Sequence, residues 1–268
     1  MQSIHLGRVS ATVTALLLIG ALHQSEAIAA IAAGEPELEA AIVPGQVQVS
    51  LERIGVRSVL HIPYVNRGDE PLFGPLRCRY DDVSRQDVCR SRRPSDTLFA
   101  VKATAIRAQD GSVQSQFDPR TTDAFMENAA LVRHSTDKAG HPVDVSFLSH
   151  RRYTGLRPAS EHVVREGADT TFRTIARGTG TNRLQQVVQY SGVTVPRNVA
   201  TGPTLGYPTS GVIYATGHFE WATTKSTRPF QWSVIVYFDG SRTPDAYLDG
   251  KRHRLDLQTG LATPVIDD

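Results

Sequence analysis

The stretch FQWSVIVYFDGSRTPDAYLDGKRHRLDL, residues 230–257, decides the fold class. Phe230, Trp232, Val234, Val236 and Phe238 occupy every second position. A period of two places them on one face of an extended strand. Asp239-Gly240 then starts a turn, Ala246 to Leu248 form a short second run, and Asp249-Gly250 turns the chain into His253, Leu255 and Leu257. Asp-Gly between alternating runs is the strongest short-range hairpin signal, because both residues tolerate the left-handed backbone of a tight turn. His253 shares the parity of Leu255 and Leu257, which directs it toward the core.

The same alternation recurs upstream. It is carried by Val47, Val49 and Leu51, by Leu60, Ile62 and Tyr64, and by Phe99, Val101, Ala103 and Ala105. Val143, Val145 and Phe147 continue it, then Phe172, Thr174 and Ala176, then Leu184, Gln186, Val188 and Tyr190. Ile213, Ala215, Phe219 and Trp221 share a further strand face. Turns are expected at Glu166–Asp169, at Gly178–Gly180 and at Ser191-Gly192, with a proline-bearing loop over 196–208. Short strands with turns about every eight to twelve residues predict a mainly β protein, an antiparallel β-sandwich or β-meander. A barrel-like C-terminal unit shares the same alternation. No fixed internal period emerges, which excludes a solenoid or propeller.

One segment departs from this pattern. Thr121–His134 (TTDAFMENAALVRH) opens with Thr and Asp and sets Phe125, Ala129 and Val132 at helical spacing, predicting one short helix that ends at the polar Asp137–Gly140. The expected organisation is therefore a β-rich unit over 45–118, a helical connector over 119–140 and an antiparallel β-meander over 141–268. Within the first unit, Tyr64–Leu72 (YVNRGDEPL) is similar to the strand-end Asn-x-Gly-Asp turn of bacterial Ig-like surface modules, which makes that unit an Ig-like sandwich candidate. The Arg67-Gly68-Asp69 tripeptide inside it is read as part of the turn.

The N-terminus reads as an export signal over residues 1–29. Met1 to Arg8 carries an Arg and a His but no acid, Val9 to Leu22 is apolar throughout most of its length, and small residues follow in EAIAAIAAG. The apolar run is too short to span a bilayer core about 30 Å thick, so a cleaved secretory signal fits better than an anchor. Residues 30–44 form an acidic, Ala- and Pro-bearing linker. No later run approaches the length of a membrane helix, so no transmembrane span is expected in the mature chain. Cys78 and Cys89, the only two cysteines, flank a turn-rich segment. In an oxidising compartment such a pair reads as a local disulfide.

The 268 residues are 40% apolar and 21% charged with a net charge of +2, an ordinary foldable composition without the basic excess of a nucleic-acid partner. Arg clusters at Arg77, Arg79, Arg90, Arg92 and Arg93, and at Arg252 and Arg254, suit anionic groups, but Asp81, Asp82 and Asp87 stand among the first set. Neither the G-x-S-x-G elbow nor the H-E-x-x-H zinc motif is present. His218 and Glu220, two apart on a predicted strand, point to the same face and are the best metal-ligating pair. Phe219, Trp221, Phe230, Trp232 and Phe238 could line an apolar cup in a barrel interior. They could as well fill a core.

These features predict an exported protein, periplasmic or secreted, that binds rather than catalyses, without a cofactor. Its expected partners are an envelope protein, a glycan or a small apolar ligand. A lipid or small-molecule carrier using a barrel interior, and a hydrolase or metal-dependent enzyme around His218 and Glu220, are the alternatives. An interaction protein should display an exposed apolar patch or a free sheet edge.

Overall fold

A computed structural model of the chain describes residues 42–43, 46–49, 51, 69–70, 74–91, 98–118, 120–137, 139–157, 159–178, 180–196, 206–223 and 227–266. The signal segment, most of the linker, the Leu60–Tyr64 run, Arg67, Gly68, Arg92 and Arg93 lie outside the described residues.

Every regular element described is a strand. They are β1 (Ile42–Val43), β2 (Gln46–Gln48), β3 (Asp69–Glu70), β4 (Gly74–Asp81), β5 (Gln86–Ser91), β6 (Leu98–Ala108), β7 (Val113–Gln114) and β8 (Thr122–Thr136). They continue with β9 (Pro142–Thr154), β10 (His162–Arg177), β11 (Gly180–Pro196), β12 (Ser210–Thr223), β13 (Thr227–Tyr237), β14 (Asp245–Leu248), β15 (Lys251–Leu255) and β16 (Leu261–Pro264). They form one antiparallel sheet in the order β1-β2-β16-β15-β14-β13-β12-β11-β10-β9-β8-β6-β5-β4-β3, with β7 paired to β6 off this path. Over the described residues the sheet is open, running from β1 at one edge to β3 at the other. The mainly β meander predicted from the alternation is therefore present, and both Asp-Gly turns fall where expected, after β13 and between β14 and β15.

Three local expectations are corrected. The segment read as a helix and connector is β8, paired along most of its length with β6 on one side and β9 on the other. Its buried positions include Phe125, Glu127, Ala129 and Leu131, a period of two. Glu127 at an inward position hid that period, and the helix formers around it favoured the wrong state. Pairing on both edges overrides so weak a local preference.

Glu166–Asp169 is not a turn either. It lies inside β10, where the register against β11 shifts between Arg165 and Gly167. Gly167 is needed there, because its φ is 130° and a Cβ would overlap the His150 backbone of β9. Ser191-Gly192 is likewise a bulge, with the β11–β12 register shifting between Ser191 and Thr194. Both are bulges that bend a long strand without ending it.

One face of the sheet is buried, and three apolar clusters line it. The largest joins Val49 and Leu51 to inward residues of β11–β16, among them Val188, Ile213, Trp232, Val236, Leu248 and Leu255. The second groups Leu76, Cys89, Ala100, Ala129, Leu131 and Phe147, and the third Ile106, Phe125, Tyr153, Leu156 and Val163. Cys78 and Cys89 oppose each other directly across β4 and β5 and are joined by a disulfide, so the predicted pair is present.

Gly217 marks one constraint on this packing. It opposes Trp232 in the β12–β13 register, and a Cβ at this position would overlap the indole, 2.1–2.3 Å from its Cε2, Nε1 and Cζ2 atoms. The bare backbone lets the indole lie flat against the sheet, a pairing of glycine with an aromatic that recurs in strands. Gly217→Ala is expected to destabilise the protein by about 1–3 kcal/mol through overpacking. Urea unfolding with an unchanged m-value and a lowered midpoint would show it, and an unchanged midpoint would contradict the packing described.

Candidate functional site

The register of β11, β12 and β13 assembles a cleft on the outward face. Val187, Thr216 and Ser233 stand opposite one another in one row, and Gln185, His218 and Gln231 in the next. Tyr214 rises on the far side of Thr216, and Asp249 closes the β13 flank from the β14–β15 turn. Small side chains at Thr216 and Ser233 between longer ones leave a depression of about 430 Å³.

Asp249 is held firmly. The Ser233 amide donates to its Oδ1 at 2.5 Å, the Ser233 hydroxyl donates to the same oxygen at 3.1 Å, and the Asp249 amide donates back to the Ser233 carbonyl at 2.9 Å. Its backbone is left-handed, with φ of 53°, as the Asp-Gly turn requires. Burial pushes its carboxyl up to about 6, against the opposing pull of the bonds from Ser233. The other oxygen, Oδ2, is buried with no hydrogen-bond partner, as is His218 Nδ1.

His218 and Glu220 share the outward face, as their spacing predicts, but keep different company. His218 lines the cleft, whereas Glu220 pairs with Arg183 at 3.4 Å. Among the described residues no group of three or more His, Cys, Asp or Glu side chains is placed to hold a metal ion. Of the predicted aromatic cup, Trp232 and Phe238 are buried in the main apolar cluster and Phe219 packs against it. Trp221 is exposed near the end of β12. Phe230 opposes Phe219 in the backbone register.

A second outward feature lies across β6, β8, β9 and β10. Phe99 opposes Val132, and Leu148 and Phe172 follow on the next two strands of the same face. They are 50%, 40%, 54% and 42% exposed respectively, so four large apolar side chains on adjacent strands face solvent.

Further along the same strands, on the inward face, lies an ion cluster that the sequence pattern did not reveal. Lys102 sits 2.5 Å from Glu127 Oε2, and Arg151 lies 3.7 Å from Glu127 Oε1. Arg151 also grips Asp169 through two bonds, from Nε at 2.8 Å and from Nη2 at 2.9 Å. The Ser149 hydroxyl donates to Asp169 Oδ1 at 2.7 Å and the Tyr190 hydroxyl to Oδ2 at 2.8 Å. The Arg165 guanidinium stacks on the Tyr190 ring at 3.7 Å and faces Tyr153 at 5.6 Å. Burial opposes the Asp169 charge, but the Arg151 bonds and charge, with Ser149 and Arg165, outweigh it and hold the carboxyl below the usual range. Glu127 was concealed within the expected helix and Asp169 within the expected turn. Charged residues at inward parity on paired strands were the available signal.

Compared with known proteins, the chain matches no family model, no curated protein and no solved structure.

Two outcomes follow for the two aspartates. Asp169→Ala leaves Arg151 buried without its partner and is expected to cost about 3–5 kcal/mol. The stability Asp169 contributes is present above the ordinary carboxylate range and is lost as pH falls through its lowered folded value. Chemical denaturation across acid pH checks both; a flat difference between wild type and variant down to about pH 2 would count against the buried pairing.

Asp249 has the opposite sign. Its folded value lies above its unfolded one, so its charge weakens the fold above about pH 6 and not below about pH 4. Asp249→Asn retains the Oδ1 acceptor and suits a left-handed backbone. It is expected to raise Tm at about pH 8 and give no gain at about pH 4. A pH-independent change would refute this assignment.

Proposed function

We propose that the protein is exported to the periplasm or beyond the cell and acts as a non-enzymatic interaction protein, engaging an envelope partner through the outward face of β6, β8, β9 and β10. The observation that carries this is the exposed set Phe99, Val132, Leu148 and Phe172. A contiguous apolar patch facing water has a hydration cost that a partner's surface removes, which is why such patches concentrate at interaction sites. Burying a fully exposed large aliphatic or aromatic side chain contributes roughly 1.5–3 kcal/mol, and each of these four, about half exposed, retains about half of that gain for a partner.

Export is supported by the three-part N-terminal pattern and by the Cys78–Cys89 disulfide, which an oxidising compartment maintains. No helix among the described residues is long and apolar enough to cross a membrane. The carrier alternative draws less support, because Trp232 and Phe238 are consumed in core packing.

Photo-crosslinking in the producing cells tests the proposal. A photoreactive residue replacing Leu148 is expected to yield a discrete adduct, and the same group at Gln189, on the outward face of β11, is expected to yield none. Phe172→Glu should reduce the Leu148 adduct several-fold without changing Tm, since the side chain is exposed. No adduct from either position, or equal adducts from both, would overturn the assignment.

A further inference from the structure

We infer that the outward cleft of β11–β13 is a second binding site, specific for a neutral polyhydroxylated ligand such as the end of an uncharged glycan chain. It is separate from the apolar patch and does not depend on the role proposed for that patch.

The chemistry of the lining selects this class. The side chains that face the cleft include two carboxamides, Gln185 and Gln231, two small hydroxyls, Thr216 and Ser233, the Tyr214 phenol, the His218 imidazole and the Asp249 carboxyl. Carboxamides and hydroxyls both donate and accept, which matches vicinal hydroxyl groups that must do the same. Neither Lys nor Arg is among the lining residues, and Lys251 acts on Asp249 only from outside the lining, so phosphate, sulfate or carboxylate would meet the Asp249 carboxylate without a cation in direct contact. A purely apolar ligand would cover these polar groups without satisfying them, at a cost for each. The volume, about 430 Å³, lies within the range of small-ligand sites.

Two further observations point to an occupant. His218 Nδ1 and Asp249 Oδ2 are buried and unpartnered within the protein, and both belong to residues that line the cleft. Unsatisfied buried polar atoms are rare in folded chains and call for a partner. Tyr214, exposed on the outward face, presents a flat ring against which the C–H face of a sugar ring can stack. Ser233 anchors Asp249 through Oδ1, which fixes the carboxyl group at the β13 flank of the cleft. Asp249 is therefore the residue that discriminates against acidic sugars.

Calorimetric titration of the full mature chain tests the inference. The probes are neutral hexose and N-acetylhexosamine disaccharides, the corresponding uronate-bearing and sulfated disaccharides, and a medium-chain fatty acid. Neutral disaccharides are expected to bind, and their acidic counterparts to bind at least about tenfold more weakly at neutral pH. Thr216→Trp, which fills the floor from the solvent side, and Tyr214→Ala, which removes the platform, should each weaken binding about tenfold or more while leaving Tm unchanged. Asp249→Asn should narrow the gap between neutral and uronate-bearing probes.

Preferential binding of the acidic probes or the fatty acid would overturn the ligand class. Binding that survives Thr216→Trp would remove it from this cleft. Absence of heat with every neutral disaccharide at about 10 mM would refute the site as assigned. None of these outcomes bears on crosslinking from Leu148, so the two proposals fail separately.

Discussion

Asp169 ties the inner face together. Its carboxylate accepts hydrogen bonds from Ser149 and Arg151 on β9 and from Tyr190 on β11, and faces Arg165 on its own strand. Tyr190, Arg165 and Arg151 lead into three different apolar clusters. Tyr190 belongs to the cluster of the C-terminal strands, Tyr153 beneath Arg165 belongs to that of Ile106 and Phe125, and Phe147 beneath Arg151 to that of Leu131 and Ala100. The ion cluster is thus the joint at which three cores meet. Apolar contacts alone tolerate sliding, whereas a fork of Arg151 on Asp169 has one geometry.

That arrangement has a consequence for the outer face. Along the middle of β6, β8, β9 and β10 the acidic and basic side chains Lys102, Glu127, Arg151, Arg165 and Asp169 point inward. The outward rows Phe99–Val132–Ser146–Phe172 and Val101–Ala130–Leu148–Thr170 carry no charge. Continuing across β11–β13, the same rows become Gln185–His218–Gln231 and Val187–Thr216–Ser233. An uncharged outer band therefore changes along its length from apolar to hydroxyl- and amide-rich. Both proposed contact surfaces lie on this band, displayed by paired strands whose backbones are fixed by hydrogen bonds. The patch is carried by strands alone, whereas the cleft also takes Asp249 from the β14–β15 turn, held in place by Ser233.

The candidate sites were legible in the sequence only in pieces. That His218 and Glu220 share a face follows from the period of a strand, and it holds. Their neighbours do not follow, because Gln185 and Asp249 come from β11 and the β14–β15 turn, each about thirty residues away along the chain. Asp249 was visible as a hairpin residue. Its second task, closing a cleft, arises because the tip of that hairpin lies against Ser233. Aromatic alternation in β13 marked a buried face but could not distinguish a cup from a filled core, since that depends on what the opposite strands supply.

The amino-acid sequence by itself determined the class of structure. Alternation and Asp-Gly turns are local properties of consecutive residues, and so is the pairing of Cys78 with Cys89 across a short hairpin. Tertiary structure decided wherever a local preference met a distant partner. Helix-forming residues of Thr121–His134 became β8 because β6 and β9 offered a full set of backbone hydrogen bonds on both edges. Glu166–Asp169 became a bulge within β10 because Gly167 admits the close approach of His150, and because Asp169 gains Arg151, Ser149 and Tyr190 only if the strand continues. Propensity differences between states amount to about 1 kcal/mol or less per residue. Pairing and burial across several strands together exceed that, and their partners lie too far along the chain for any local pattern to record.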